Sequence, residues 1–309
     1  MNQEIFIWTE AFNCGEILPP MVKSYLTHHD ESLNIFATEK DFEFISSIKD
    51  SRLIFHCLEK TNMKVHRKIV SGYNKGHSGT ANLWTYLLRH RKEQIFIHFD
   101  ADNIFLDNVT AELIDKLCYE SYALVGSRRP YRMRAYRLTG RDAEKLNNLP
   151  DVVNTDCFGF NTSYIKKFPS WLLKRKIVGK RQLFRPIIDY FDPISFEIID
   201  KGGKVYFLDS PTQGKSAKTN FDSDFHNKRI SFAAVGSGLN FFKNPKVKSS
   251  PGYKKFALAS YSLYSNRILG IPLNIPMLDD ESLNAKINKL DKNKWALTEN
   301  HRNLKFDTK

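Results

Sequence analysis

Two aspartates, Asp100 and Asp102, stand at the end of an apolar run in the stretch Ile95 to Leu106, IFIHFDADNIFL. Ile95 to Phe99 is too short to span a membrane and has no helical spacing, so it reads as a buried strand of a parallel sheet covered on both faces. Open α/β sheets bind ligands just outside the carboxyl ends of their strands. If the chain is still extended at that point, residues two apart face one side, and two hard carboxylate oxygens can meet one divalent cation. Mg²⁺ or Mn²⁺ held this way shares its other positions with water and substrate phosphates. The competing explanation is an Asp pair that simply ends a strand, since Asp is common in turns. The NIFLDN that follows favours a site, because Asp107 and Asn108 can cap a helix whose apolar positions are Val109, Leu113, Ile114 and Leu117.

The elements needed to position this pair are readable on either side of it. Glu4 to Trp8 reads as a first strand, then a loop through Thr9, Glu10 and Asn13, then a helix from near Glu16 carrying Met21, Val22, Tyr25 and Leu26. Leu33 to Thr38 is a second strand, Asp41 to Ile48 a helix and Leu53 to Cys57 a third strand, the β-α-β-α-β opening of a doubly wound sheet. A loop with Gly72, Gly76 and Gly79 leads into a helix carrying Leu83, Tyr86 and Leu87; its glycines fit neither a Walker loop nor a dinucleotide fingerprint. Tyr122 to Ser127 and Cys157 to Phe160 are further strands. Between them Arg128, Arg129, Arg132, Arg134, Arg137 and Arg141 form a basic loop that suits an acceptor phosphate or an anionic membrane surface. Asp192 can cap a helix that has Pro193 at its first position and the apolar stripe Ile194, Ile198 and Ile199. Gly202 and Gly203 end that helix, and Val205 to Leu208 returns as a strand.

HFDADNIFLDN resembles the DxD segment of nucleotide-sugar-dependent glycosyltransferases of the GT-A fold. The resemblance covers roughly Glu4 to Asn244 and implies a GT-A (Rossmann-like) α/β domain over 1–245, with a mixed, mainly parallel sheet flanked by helices. A basic helical extension and tail then occupy 246–309. By the same resemblance Asp100 lies toward the nucleotide and binds metal together with Asp102, the principal ligand of Mn²⁺ or Mg²⁺, and His226 is the nearest histidine to the place of a third ligand. Thr9 and Glu10 are expected beside the nucleoside, Thr80 and Asn82 at the start of the helix before the acidic strand, Asp156 and Asn161 beside the donor sugar, and Ser237 and Gly238 against the diphosphate. Asp192 takes the place of the general base of inverting members, although Phe191 stands where a Glu is usual. In a retaining enzyme Asp192 would only bind the sugar. The partners implied are a nucleotide-sugar donor, UDP-linked by preference, and a hydroxyl on a glycan, lipid-linked or protein acceptor.

At 309 residues with 41% hydrophobic composition the chain can bury a sizeable core. With no long apolar run and no basic-then-apolar leader, it is expected in the cytoplasm, touching an anionic membrane surface at most peripherally. Cys14, Cys57, Cys118 and Cys157 are scattered without CxxC spacing and read as free thiols. The net charge of +13 favours an anionic partner, but no nucleic-acid motif accompanies it. Two other classes share some of these features. A nucleotidyltransferase would use the same carboxylates but usually has a glycine- and basic-rich loop after its first strand, and a non-catalytic lipid- or RNA-binding protein would explain the arginines without the acidic pair.

Overall fold

The computed structural model describes residues 4–60, 78–105, 107–129, 152–165, 195, 198–208, 230–232, 265 and 269–271. Strand β1 (Ile5–Ala11) alternates its side chains between two faces of a sheet. Phe6 and Trp8 pack into one core with Phe36, Trp84, Phe96 and Phe158, while Ile7 and Ala11 pack into the other with Met21, Tyr25, Ile97 and Phe99. Both faces are therefore covered, as the unbroken apolar runs require. The other strands are β2 (Leu33–Ala37), β3 (Leu53–Cys57), β4 (Ile95–Phe99), β5 (Asn103–Phe105), β6 (Leu124–Arg129), β7 (Val152–Asn161), β8 (Val205–Leu208) and β9 (Ile230–Phe232). The helices are α1 (Leu18–His28), α2 (Glu39–Phe42), α3 (Ser78–His90) and α4 (Val109–Ile114).

Seven strands form one sheet in the order β3-β2-β1-β4-β7-β6-β8, and β5 pairs with β9 in a small second sheet. Within the seven-stranded sheet every strand runs one way except β7, which is antiparallel to both β4 and β6. This is the mixed, mainly parallel Rossmann-like sheet with flanking helices expected from the sequence. After β1 the chain builds leftward through β2 and β3, then returns to place β4 on the other side of β1. The crevice between β1 and β4 is thus the switch point at which such sheets bind ligands.

Local sequence explains most element ends. Asn108 Oδ1 accepts from the Ala111 N–H at 3.0 Å and caps α4 as expected. Residues 195 and 198–200 are helical; Gly202, at φ +76°, ends that helix, and the Gly203 N–H closes onto the Ile198 carbonyl at 2.9 Å. Two boundaries differ from expectation. β1 runs on through Thr9 and Glu10, which are strand and not loop, because Trp8 to Ala11 pair in register with Asn34 to Ala37 of β2. Arg128 and Arg129 belong to β6, since the ladder resumes beyond a bulge at Gly126 and sets them beside Val153 and Val152. Of the expected extension, Ser265 is buried, with its hydroxyl donating to the Ile271 carbonyl at 2.8 Å, and Leu269 packs on the core.

The end of α1 carries a pH-sensitive packing device. His29 is 1% exposed, stacks on Tyr25 at 4.4 Å, and donates from Nδ1 to the Tyr25 carbonyl at 3.0 Å. Burial pushes its pKa from 6.5 down to about 4. The unfolded chain therefore takes up a proton near pH 6.5 that the folded chain refuses until about pH 4. Stability from this group is complete above the unfolded value and is lost as pH falls toward the folded one, by about 3 kcal/mol in all. Urea unfolding at pH 7 and pH 4.5 should show a falling midpoint, and His29→Gln should remove most of that slope. An unchanged slope in the variant would sink the assignment.

Candidate active site

Asp100 follows directly after β4, and its carbonyl accepts from the Asn103 N–H at 3.1 Å. Ala101 and Asp102 are the central residues of a β-turn between β4 and β5. The expectation of an extended Asp-Ala-Asp segment is therefore corrected: the two carboxylates sit on a turn, so a two-residue strand period does not govern their directions. Asp102 is 5% exposed, whereas the Asp100 side chain is 40% exposed. The turn lies at the switch point, because β4 pairs with β1 as far as Trp8 and His98, two residues before Asp100.

Beneath Asp100 lies a polar cluster that sequence reasoning missed. The Glu10 carboxylate, its side chain 8% exposed, accepts three N–H donors. Trp8 Nε1 reaches Oε2 at 3.1 Å, His98 Nε2 reaches the same oxygen at 2.9 Å, and Trp84 Nε1 of α3 reaches Oε1 at 2.9 Å. A carboxylate only accepts, so the His98 Nε2 must carry its hydrogen. That same Nε2 lies 3.9 Å from Asp100 Oδ1. Trp8, Trp84 and Phe158 surround the imidazole at 5.0, 4.9 and 5.1 Å between ring centres, so the cluster is dry as well as hydrogen-bonded. The available signal was a charged residue and a histidine inside otherwise apolar strands, which are seldom buried without partners.

A second buried carboxylate holds the loop that leaves β1. Asp41 Oδ1 accepts from the Cys14 and Gly15 N–H groups at 3.0 and 2.8 Å, and Oδ2 accepts from the Asn13 N–H at 3.0 Å and the Thr38 hydroxyl at 2.7 Å. A Cβ at Gly15 would come within 2.7 Å of Asp41 Cα and 2.6 Å of Phe44, so only glycine lets the loop approach this closely.

The residues expected from sequence divide by position. Thr80 and Asn82 are half-buried in the first turns of α3, just before Trp84, whose contact with Glu10 puts that end of the helix at the ligand-binding edge. Thr9 is fully buried on the opposite face from Glu10, and its hydroxyl has no partner among the described residues, so it is a core position and not a solvent-facing contact. The Glu10 carboxylate is turned inward onto its three donors. The direction of β7 separates Asp156 from Asn161. Cys157 pairs with Phe99 and Asn161 with Ile95, so Asp156 has its backbone at the acidic edge while Asn161 is at the far edge, about 17 Å along the strand. Asn161 is thereby corrected: its side chain accepts from the Ser163 N–H at 2.9 Å and closes a turn away from the site.

Asp192, His226, Ser237 and Gly238 lie outside the described residues. β9 nevertheless sets Phe232 beside Asn103 and Ile230 beside Phe105. Among the described residues no group of three His, Cys, Asp or Glu side chains converges on a point that could hold a metal. The donors at hand, Asp100 and Asp102, suit a hard cation that keeps water and ligand phosphates in its shell and do not form an all-protein cage.

No protein-family model and no curated protein matches the chain. Solved structures similar to it include mouse xyloside xylosyltransferase 1 in its apo form, 13% identical with a TM-score of 0.44, covering 67% of this chain and 86% of that one. The galactosyltransferase LgtC, in complex with donor and acceptor sugar analogs, is 12% identical with a TM-score of 0.42, covering 65% of this chain and 72% of that one. Glucosyl-3-phosphoglycerate synthase from Mycobacterium tuberculosis, in complex with Mn²⁺, UDP and phosphoglyceric acid, is 15% identical with a TM-score of 0.35, covering 53% and 57%. Likeness at this level transfers neither a reaction nor a substrate.

Proposed function

We propose that this chain is a metal-dependent glycosyltransferase that uses a nucleotide-diphosphate sugar. The observation that carries this reading is the acidic turn Asp100–Asn103 at the switch point of a mainly parallel sheet, beside the start of α3. Such crevices bind nucleotides, and paired carboxylates there are useful to a ligand that brings phosphates and a cation. Asp102 is the principal metal ligand in this reading, and Asp100 a second ligand on the nucleotide side. Mn²⁺ or Mg²⁺, when bound, neutralises the charge that builds on a departing diphosphate.

This chain's own groups supply the rest. Thr80 and Asn82 offer polar contacts at the start of α3, and Asp156 enters the sheet at the same edge. Asp192 is the candidate base: its carboxylate accepts the acceptor hydroxyl's proton as that oxygen bonds to the anomeric carbon and the bond to the diphosphate breaks. That assignment gives inversion at the sugar. The donor is taken as UDP-linked and the acceptor as a hydroxyl on a glycan, lipid or protein.

Thermal unfolding with a panel of UDP-, GDP- and CMP-linked sugars, with and without Mn²⁺, tests the reading. One donor class should raise the midpoint by several degrees, and only with metal present, since ligand at about a hundred times its Kd adds about 2.7 kcal/mol. A folded protein whose midpoint no nucleotide sugar moves would overturn it.

A further inference from the structure

We propose that Glu10 is a positioning residue for Asp100, acting through His98; the proposal rests on the glycosyltransferase reading and deepens it. The Glu10 side chain is 8% exposed, its carboxylate turned inward onto three N–H donors. Its three donors come from β1, α3 and β4, so one carboxylate ties together the elements that enclose the crevice.

The consequence for Asp100 lies in the His98 ring. An imidazole has two tautomers, and the hydrogen bond it makes decides which is present. Glu10 Oε2, at 2.9 Å, requires a hydrogen on Nε2, and this N–H edge is what the half-exposed Asp100 carboxylate meets at 3.9 Å. Without the Glu10 acceptor the ring is free to present an Nε2 lone pair, which repels a carboxylate oxygen. Glu10 therefore fixes the sign of the surface on which Asp100 rests, and with it the direction in which Asp100 offers its oxygens. Trp8, Trp84 and Phe158 exclude the water that would otherwise soften this preference.

The test is a double-mutant cycle read by calorimetric titration of UDP, and separately of GDP, into the full chain with Mn²⁺ present. Glu10→Leu, which removes the carboxylate shared by Trp8, Trp84 and His98, should weaken binding about tenfold or more, the usual loss when a partner supporting a metal-binding group is changed. Asp100→Asn should weaken it at least as much, and the loss in the double variant should fall well short of the sum of the two, because part of the Glu10 effect passes through the Asp100 carboxylate. Should Glu10→Leu lack a cooperative melt, His98→Phe takes its place in the same cycle with the same expectation. Independent, additive losses, or wild-type affinity in Glu10→Leu, would overturn the positioning role while leaving the glycosyltransferase reading in place. A wild-type chain that binds neither diphosphate with Mn²⁺ would remove that reading and this proposal together.

Discussion

Asp102→Asn is expected to leave the chain folded and to lower sugar transfer by about a thousandfold or more, because several kcal/mol of charge stabilisation at the diphosphate would go with the metal ligand. Asn is nearly the size of Asp and is equally at home in a β-turn, so the Asp100–Asn103 turn should survive. What is lost is a negative oxygen donor in a position only 5% exposed, where water cannot readily take its place. Melting curves and turnover with the donor found in the thermal panel, over a range of Mn²⁺ concentrations, check the result. If Asp102→Asn turned over at near the wild-type rate, the acidic turn would be a structural strand ending, and a binding role centred on the arginines that begin at Arg128 would regain the advantage.

Asp41→Ala should act on stability first. It removes the acceptor for the Cys14 and Gly15 N–H groups, both buried, as well as for the Asn13 N–H and the Thr38 hydroxyl. Unpaired buried donors cost about 1–3 kcal/mol each, and partial entry of water should bring the total to about 3 kcal/mol. Asp41→Asn keeps the shape but turns an amide toward the donors, so it should lie between wild type and alanine. Urea midpoints at neutral pH measure both, and an Asp41→Ala chain with an unaltered midpoint would show that the loop holds itself. Because this loop leaves β1 at the switch point, any affinity for a nucleotide should also fall in the alanine variant.

The apolar strands were the most legible part of the chain. β3, β4 and β8 begin and end where their sequences change character, and Gly202 ends the preceding helix for the reason its φ of +76° shows. The carboxyl half of β1 was less legible because Thr9 and Glu10 look like loop residues to any local reading. Glu10 is accommodated in a strand by donors that stand 74 and 88 residues away, at Trp84 and His98. No window along the sequence contains both sides of that interaction. Asn161 failed for a different reason: periodicity identifies a strand but not its direction, and reversal of β7 carries a polar residue to the opposite edge of the sheet. The Asp100–Asp102 spacing located the site, while its geometry depended on the Asn103 N–H, which converts a strand end into a turn.

The placement of β4 beside β1 also bears on how the molecule forms. β2 and β3 pair across 20 residues, from Leu33 to Leu53, and β1 and β2 across 26, from Trp8 to Asn34. β1 and β4 pair across 90, from Ile5 to Ile95. Closing that longest span costs about 1 kcal/mol more chain entropy than closing the β1–β2 span. The contact with the highest entropic barrier in the parallel half of the sheet is thus also the one that brings His98 onto Glu10, so the crevice comes into being only with the most distant of those pairings.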